Sequence, residues 1–363
     1  MDATKSTMQK VWFPLLAIAL VAGSAYFLYQ GLRGGLSGEA RKMAQTCEAL
    51  ENKETCYGKA FANLTKETNM DHAFIVLRKL QEVEPESRGC HFIAHSISIA
   101  ETEKDPSKWR EILNNAPQDC SYGAAHGALE VHAASSPDGK LAKAEIPTVC
   151  NNPDTKNCTH ILGHLLLVLN EDDMDASIKD CGTIPHSDPW KFECLSGVFM
   201  ERITAFNLET HGLATKEALN WPARLPELDA LCRSYTGTSS LACWKEIAHI
   251  LAVKFQGNTQ LVVNYCQSAP TKDAARTCID HSLGILGANY HFDLSKMKGL
   301  CDVKVEAQDF KARCYPQIVG ATLATLPNET QSAEKFCASI EPQYQKACYA
   351  IIPNHQAQPR SGN

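Results

Sequence analysis

Sixteen cysteines constrain this 363-residue chain more than any other feature, because most of them fall into close pairs. The pairs are Cys47/Cys56, Cys150/Cys158, Cys181/Cys194, Cys232/Cys243, Cys266/Cys278, Cys301/Cys314 and Cys337/Cys348, at separations of 8 to 13 residues. Zinc ribbons and iron–sulfur clusters usually take cysteine ligands about two to four residues apart. No Cys-x-x-Cys occurs here, so an even count at medium spacing predicts a disulfide framework. Disulfides persist outside the cytosol, so the bulk of the chain is expected in an oxidising compartment. Cys90 and Cys120 have no cysteine 8 to 13 residues upstream, and elimination pairs them with each other.

The second cysteine of each pair opens an apolar segment of helical character, as in Cys194-Leu-Ser-Gly-Val-Phe-Met-Glu and Cys243-Trp-Lys-Glu-Ile-Ala-His. With Cys90 and Cys120 counted among them, the openings stand at 56, 90, 120, 158, 194, 243, 278, 314 and 348. The steps are 34, 30, 38, 36, 49, 35, 36 and 34 residues, and the long one contains Asn220-Trp221-Pro222-Ala223-Arg224-Leu225-Pro226, read as an inserted loop. A period of this size is what a helix–turn–helix unit needs. It predicts an all-α fold of stacked hairpins, an α-solenoid. Each unit is expected to have a first helix, a short connection carrying one cysteine, and a second helix opened by the other. A bridge at such a turn contributes roughly 3 kcal/mol in the chain-entropy model, less any native strain. The period resembles that of tetratricopeptide-type and Sel1-type solenoids over nearly all of residues 40–352. The Trp/Leu-Gly/Tyr signature of the tetratricopeptide unit is missing, so the resemblance implies architecture alone.

Near the N-terminus, Val11 to Tyr29 is a run of nineteen residues without a charge. As a helix it would be roughly 28 Å long, enough to cross a hydrocarbon core. Pro14 falls in its first turn, and Trp12, Tyr26 and Tyr29 suit interfacial belts. Gly23-Ser24-Ala25 offers a rival signal-peptide cleavage site, but the apolar run continues past it, which favours an uncleaved anchor. The expected organisation is a cytoplasmic 1–10, a transmembrane anchor at 11–30, a linker at 31–45, the stapled repeat at 46–352 and a tail at 353–363. The repeat then faces the periplasm or an extracellular or luminal space. A net charge of −6 without a Lys/Arg-rich stretch gives no footprint for nucleic acid.

The histidines sit where the stapled helices begin. His91 and His95 form an i, i+4 pair, His160 and His164 a second, and His126 pairs in the same way with Glu130. Residues four apart share a helix face with Cβ atoms roughly 6 Å apart, a spacing that suits chelation of one metal. The three pairs lie on second helices of consecutive units, so stacking can make them converge. His249 occupies the same place after its cysteine as His126 and His164, and His281 and Glu201 are similarly placed. His72, His132, His186, His211, His291 and His355 fall outside the pattern and read as packing residues.

A set of His91, His95, His126, Glu130, His160 and His164 is too large for one tetrahedral zinc. It suits a dinuclear site, or one metal with the rest as supporting residues. Nitrogen-rich donors favour iron, zinc or copper over calcium or magnesium. The expected chemistry is metal-activated water, hence hydrolysis, or oxygen activation in an oxidoreductase, with Glu130 as base or ligand. No Gly-x-Ser-x-Gly elbow, Walker loop or dinucleotide fingerprint is present. The alternative reading is a non-catalytic scaffold or assembly subunit, whose solenoid surface binds a protein partner beside the membrane.

Overall fold

The computed structural model describes residues 34–353, apart from 51, 89, 116, 118–119, 121–122, 136–148, 151–155, 185–187, 205–220, 306–308 and 327. Among the described residues every regular element is helical. After the helical residues 34–47, the α-helices in chain order are α1 (Lys53–Glu67), α2 (Met70–Val83), α3 (His91–Lys104), α4 (Trp109–Asn115), α5 (Gly123–Ala134), α6 (Lys156–Leu169), α7 (Met174–Gly182) and α8 (Asp188–Thr204). They continue as α9 (Trp221–Ser234), α10 (Gly237–Glu246), α11 (Ala248–Lys254), α12 (Thr259–Cys266), α13 (Lys272–Ala288), α14 (Leu294–Met297), α15 (Phe310–Thr325), α16 (Thr330–Ser339) and α17 (Pro342–Tyr349).

All sixteen cysteines are bridged in the expected pairs, Cys90–Cys120 included. The position of each bridge within its unit differs from expectation. The first cysteine sits in the last turn of the first helix, as with Cys181 in α7, Cys232 in α9, Cys266 in α12 and Cys337 in α16. The second helix begins before its cysteine, by six residues in α8, α10, α13 and α17. Side-chain caps fix two of the helix starts. Thr271 Oγ1 accepts from Ala274 N at the start of α13, and Asp173 Oδ1 accepts from Ala176 N at the start of α7. Each satisfies an N–H that has no partner within its helix.

Two further expectations change. Residues 221–226, read as an inserted loop, are the opening turns of α9. Pro222 lies in its first turn, where proline costs little, and Pro226 lies inside the helix one turn further on. The span 31–45, read as a linker, is helical from residue 34, and Ala40 and Cys47 pack with Tyr57, Phe61 and Phe74. The expected anchor lies outside the described residues, as do 1–10 and 354–363. Among the described residues no helix is long and apolar enough to cross a membrane.

The second helices pack side by side in chain order, α1 on α3, then α5, α6, α8, α10, α13, α15 and α17. The first helices α2, α4, α7, α9, α12 and α16 pack along members of this row. Their apolar faces make two buried clusters. One runs from Ala40 to Ala124, and the other from Trp109 to Ile352. The seam between them passes through α5, where Ala124 belongs to the first cluster and Ala125 to the second.

Two helix pairs on either side of this seam approach at the level of the backbone. A Cβ on Gly123 would overlap the His91 carbonyl oxygen, and one on Gly127 would lie 2.6 Å from the His95 carbonyl oxygen, so α5 lies directly on α3. Across α6 and α8 the arrangement is reciprocal: a Cβ on Gly197 would overlap the His160 carbonyl oxygen, and one on Gly163 the Cys194 carbonyl oxygen. Gly197→Leu should therefore force α6 and α8 apart and cost about 2–3 kcal/mol or more in urea unfolding. Gly182→Ala, where nothing lies within 4 Å, should be neutral or stabilising by up to about 1 kcal/mol. Equal effects of the two substitutions would refute the close-approach account.

Candidate metal centre

Because α3 and α5 touch at the backbone, the side chains they carry on that face must share one small space. His91 opens α3 directly after Cys90, and His95 follows one turn later. Their Nε2 atoms face each other at 3.2 Å. The His126 ring on α5 stands 4.9 Å from the rings of both. The α6–α8 pair repeats the arrangement, with His160 Nε2 and His164 Nε2 at 3.1 Å. His126 lies between the two pairs, 5.4 Å from the His164 ring and 5.9 Å from that of His160. The structure thus brings together His91, His95, His126, Glu130, His160 and His164 on three helices, α3, α5 and α6, with Glu201 added from α8, whereas His249 and His281 lie apart on α11 and α13.

The opposite edge of each pair imidazole faces oxygen. His91 Nδ1 lies 3.1 Å from the Cys120 carbonyl oxygen, which can only accept, so the ring proton sits on Nδ1 and the lone pair on Nε2. The Cys90–Cys120 bridge ties that carbonyl to the start of α3. His164 Nδ1 donates to Glu201 Oε2 at 2.8 Å. His95 Nδ1 lies 3.3 Å from Glu130 Oε1, and His160 Nδ1 lies 4.0 Å from Glu193 Oε2. Glu130, expected as a base or ligand, therefore approaches His95 from the Nδ1 side. Glu201 was the subsidiary member of the sequence pattern, yet it makes the shortest of the carboxylate contacts. Its Oε1 is buried without a hydrogen-bond partner. Glu193 was missed, since it belongs to no histidine spacing and reaches the site only because α8 lies against α6.

Burial disfavours the charged form of four of the imidazoles. Burial pushes His91 and His95 down to about 3, and the neighbouring His95 and His164 rings, respectively, add to the effect. Burial and the surrounding imidazoles hold His126 and His160 well below the ordinary histidine value. Burial also raises the Glu201 carboxyl, against the pull of its His164 hydrogen bond. Neutral imidazole is the ligand form of histidine. A cavity of about 30 Å³ adjoins the cluster, with Phe92 and Met200 also in its lining. These buried histidine and glutamate groups can hold a metal ion, with His91, His95 and His126 offering ligand atoms within 4.8 Å of one another.

The histidines outside the pattern fare differently. His132 stacks on Trp109 with ring centroids 3.8 Å apart, a packing role as expected. His72 is not a core residue, since its Nε2 pairs with Glu39 at 3.0 Å on a partly exposed face. His291 lies in a left-handed turn with φ 52°. His186, His211 and His355 lie outside the described residues. No family model matches this chain, and no match is found among curated proteins or solved structures.

The lowered histidines carry a pH prediction for the metal-stripped protein. Their folded values lie below the unfolded value near 6.5, so the unfolded chain takes up protons first as pH falls. Stability is full above that value and is lost as pH drops through the window from 6.5 towards 3. The urea midpoint of chelator-treated protein should already decline between pH 7 and pH 5. A flat midpoint over that range would contradict the assignment of neutral buried rings.

Proposed function

We propose that this protein is a membrane-anchored, extracytoplasmic metal-binding protein whose row of second helices forms an α-solenoid, with the imidazole cluster as its metal centre. One observation carries the metal reading. In each i, i+4 pair the Nε2 atoms face each other at 3.1–3.2 Å, while each Nδ1 has an oxygen within 4.0 Å. Two ligands on a tetrahedral ion with bonds of about 2.0–2.1 Å stand about 3.3 Å apart, and a histidine ligand usually donates its other ring N–H to an oxygen. Facing lone pairs repel unless a proton or a cation lies between them. In each pair one ring can donate its Nε2 proton to the other, and a metal cation can take that proton's place.

His91, His95 and His126 supply one set of ligands, and His160 and His164 a second, with His126 between them. Glu130 and Glu201 act as positioning residues, holding the rings of His95 and His164 from behind. Nitrogen donors select iron, zinc or copper. Such a metal supplies Lewis acidity to a bound water or, as iron or copper, oxygen chemistry. The oxidising compartment rests on the eight bridges, and the anchor rests on the uncharged run at 11–29.

A scaffold reading has one observation in its favour: α15, α16 and α17 keep their staples but carry no histidine. A stable membrane complex recovered with metal-free protein selects that reading.

Full-length protein purified in detergent without chelator should carry stoichiometric transition metal by elemental analysis. His126→Ala should lose at least half of it, and His72→Ala none. Glu201→Gln, which removes no ligand, should weaken metal binding about ten- to hundredfold. Wild-type protein without stoichiometric metal would overturn the proposal.

A further inference from the structure

Beyond the imidazole cluster, the row of helices carries a second set of metal-ligating side chains where α10 and α11 meet α13. Glu246 ends α10, a single residue, Ile247, separates it from α11, and His249 lies in the first turn of α11. His281 projects from α13, which packs on both. Glu246 Oε2 lies 3.4 Å from His249 Nε2 and 3.8 Å from His281 Nε2, and the two rings stand 5.5 Å apart. One atom from each residue falls within 4.8 Å of the others.

The two oxygens of Glu246 are used differently. Oε1 is held by the Ser196 hydroxyl, which donates to it, and by Lys245 Nζ at 3.4 Å. Oε2 is aimed at the two imidazole edges. The side chain is 1% exposed, and neither Glu246 Oε2 nor His281 Nε2, both buried, has a hydrogen-bond partner. A plain buried ion pair between Glu246 and Lys245 would account for Oε1 and leave these two atoms unsatisfied. Buried polar atoms without partners are uncommon and call for an explanation. A cation among the three atoms satisfies them together. It draws the 3.4 and 3.8 Å edges in towards the roughly 3.3 Å of tetrahedral ligands, with the two imidazoles, whose ligand atoms lie within 4.8 Å of each other, turning towards it.

We propose that Glu246, His249 and His281 form a second, mononuclear metal centre of the two-histidine-one-carboxylate class, distinct from the imidazole cluster. This donor set leaves coordination positions open and takes iron(II) or zinc. Lys245 and Ser196 are its positioning residues. The centre adjoins the first one through charged side chains. Lys245 Nζ also binds Glu193 Oε2 at 3.0 Å, and that oxygen faces His160 Nδ1.

The test is cobalt(II) titration of full-length, chelator-treated protein in detergent, read by visible absorption and by equilibrium dialysis. His249→Gln leaves the Glu246–Lys245–Ser196 contacts in place and is the variant least exposed to misfolding. Glu246→Gln and His281→Gln complete the series, each checked by its metal-free melting curve. Each variant should lose one equivalent of tightly bound cobalt, with residual affinity at that position at least a hundredfold lower. His126→Ala should keep that equivalent while losing cobalt from the imidazole cluster. If His249→Gln binds as many equivalents as wild type, the second centre is overturned while the first stands. If His126→Ala binds as wild type and His249→Gln does not, the first reading fails and the second centre stands alone.

Discussion

Backbone-to-backbone approach of neighbouring helices at glycine is the constraint on which the candidate site depends. Any side chain at Gly123, Gly163 or Gly197 would meet a carbonyl oxygen, and the oxygens on the other side belong to His91, Cys194 and His160. The glycines and the histidines are thus two parts of one contact. Removing the side chain on one helix lets the next helix sit where its imidazoles cannot avoid their neighbours. Interiors packed this densely transmit small displacements, so the separation of α3 from α5, and of α6 from α8, sets the geometry of the centre.

That contact is unfavourable without compensation. Imidazole rings gather on the seam between two apolar clusters, and a carboxyl group such as Glu201 is buried beside them. Burying polar groups costs free energy unless they are paired. Part of the cost is met by the oxygens at the Nδ1 edges and part by the disulfide framework, which lowers the entropy of the unfolded chain. The Cys90–Cys120 bridge serves both purposes, since Cys120 also supplies the carbonyl that orients His91. A stapled row of helices can carry a polar seam that a less constrained bundle of this size would be expected to lose.

Much of this was legible in the sequence, because cysteine spacing and helical periodicity are local signals with a fixed phase. The pairing of all sixteen cysteines followed from separation and elimination, and the phase placed His91, His95, His126, His160 and His164 on equivalent helices. Other features were hidden for physical reasons. Helix starts were set by caps such as Thr271 and Asp173, whose signal the regular cysteines masked. Glu193 and Lys245 act across helices, and Glu246 reaches Ser196 the same way, through contacts separated by about fifty residues that no short spacing encodes. The role of Glu130 depended on which edge of His95 it reaches, and only coordinates determine that.

The central claim is that facing Nε2 atoms on glycine-seated helices form a metal centre. Anomalous diffraction at the absorption edge of the bound metal, from crystals of the metal-loaded protein, tests it most directly. The account predicts a peak within about 2.0–2.2 Å of His91 Nε2 and His95 Nε2, with His126 turned towards it, and a further peak between His160 and His164 if the centre is dinuclear. Metal found only at surface groups such as His72 and Glu39, with the imidazole cluster empty and its rings unmoved, would contradict it.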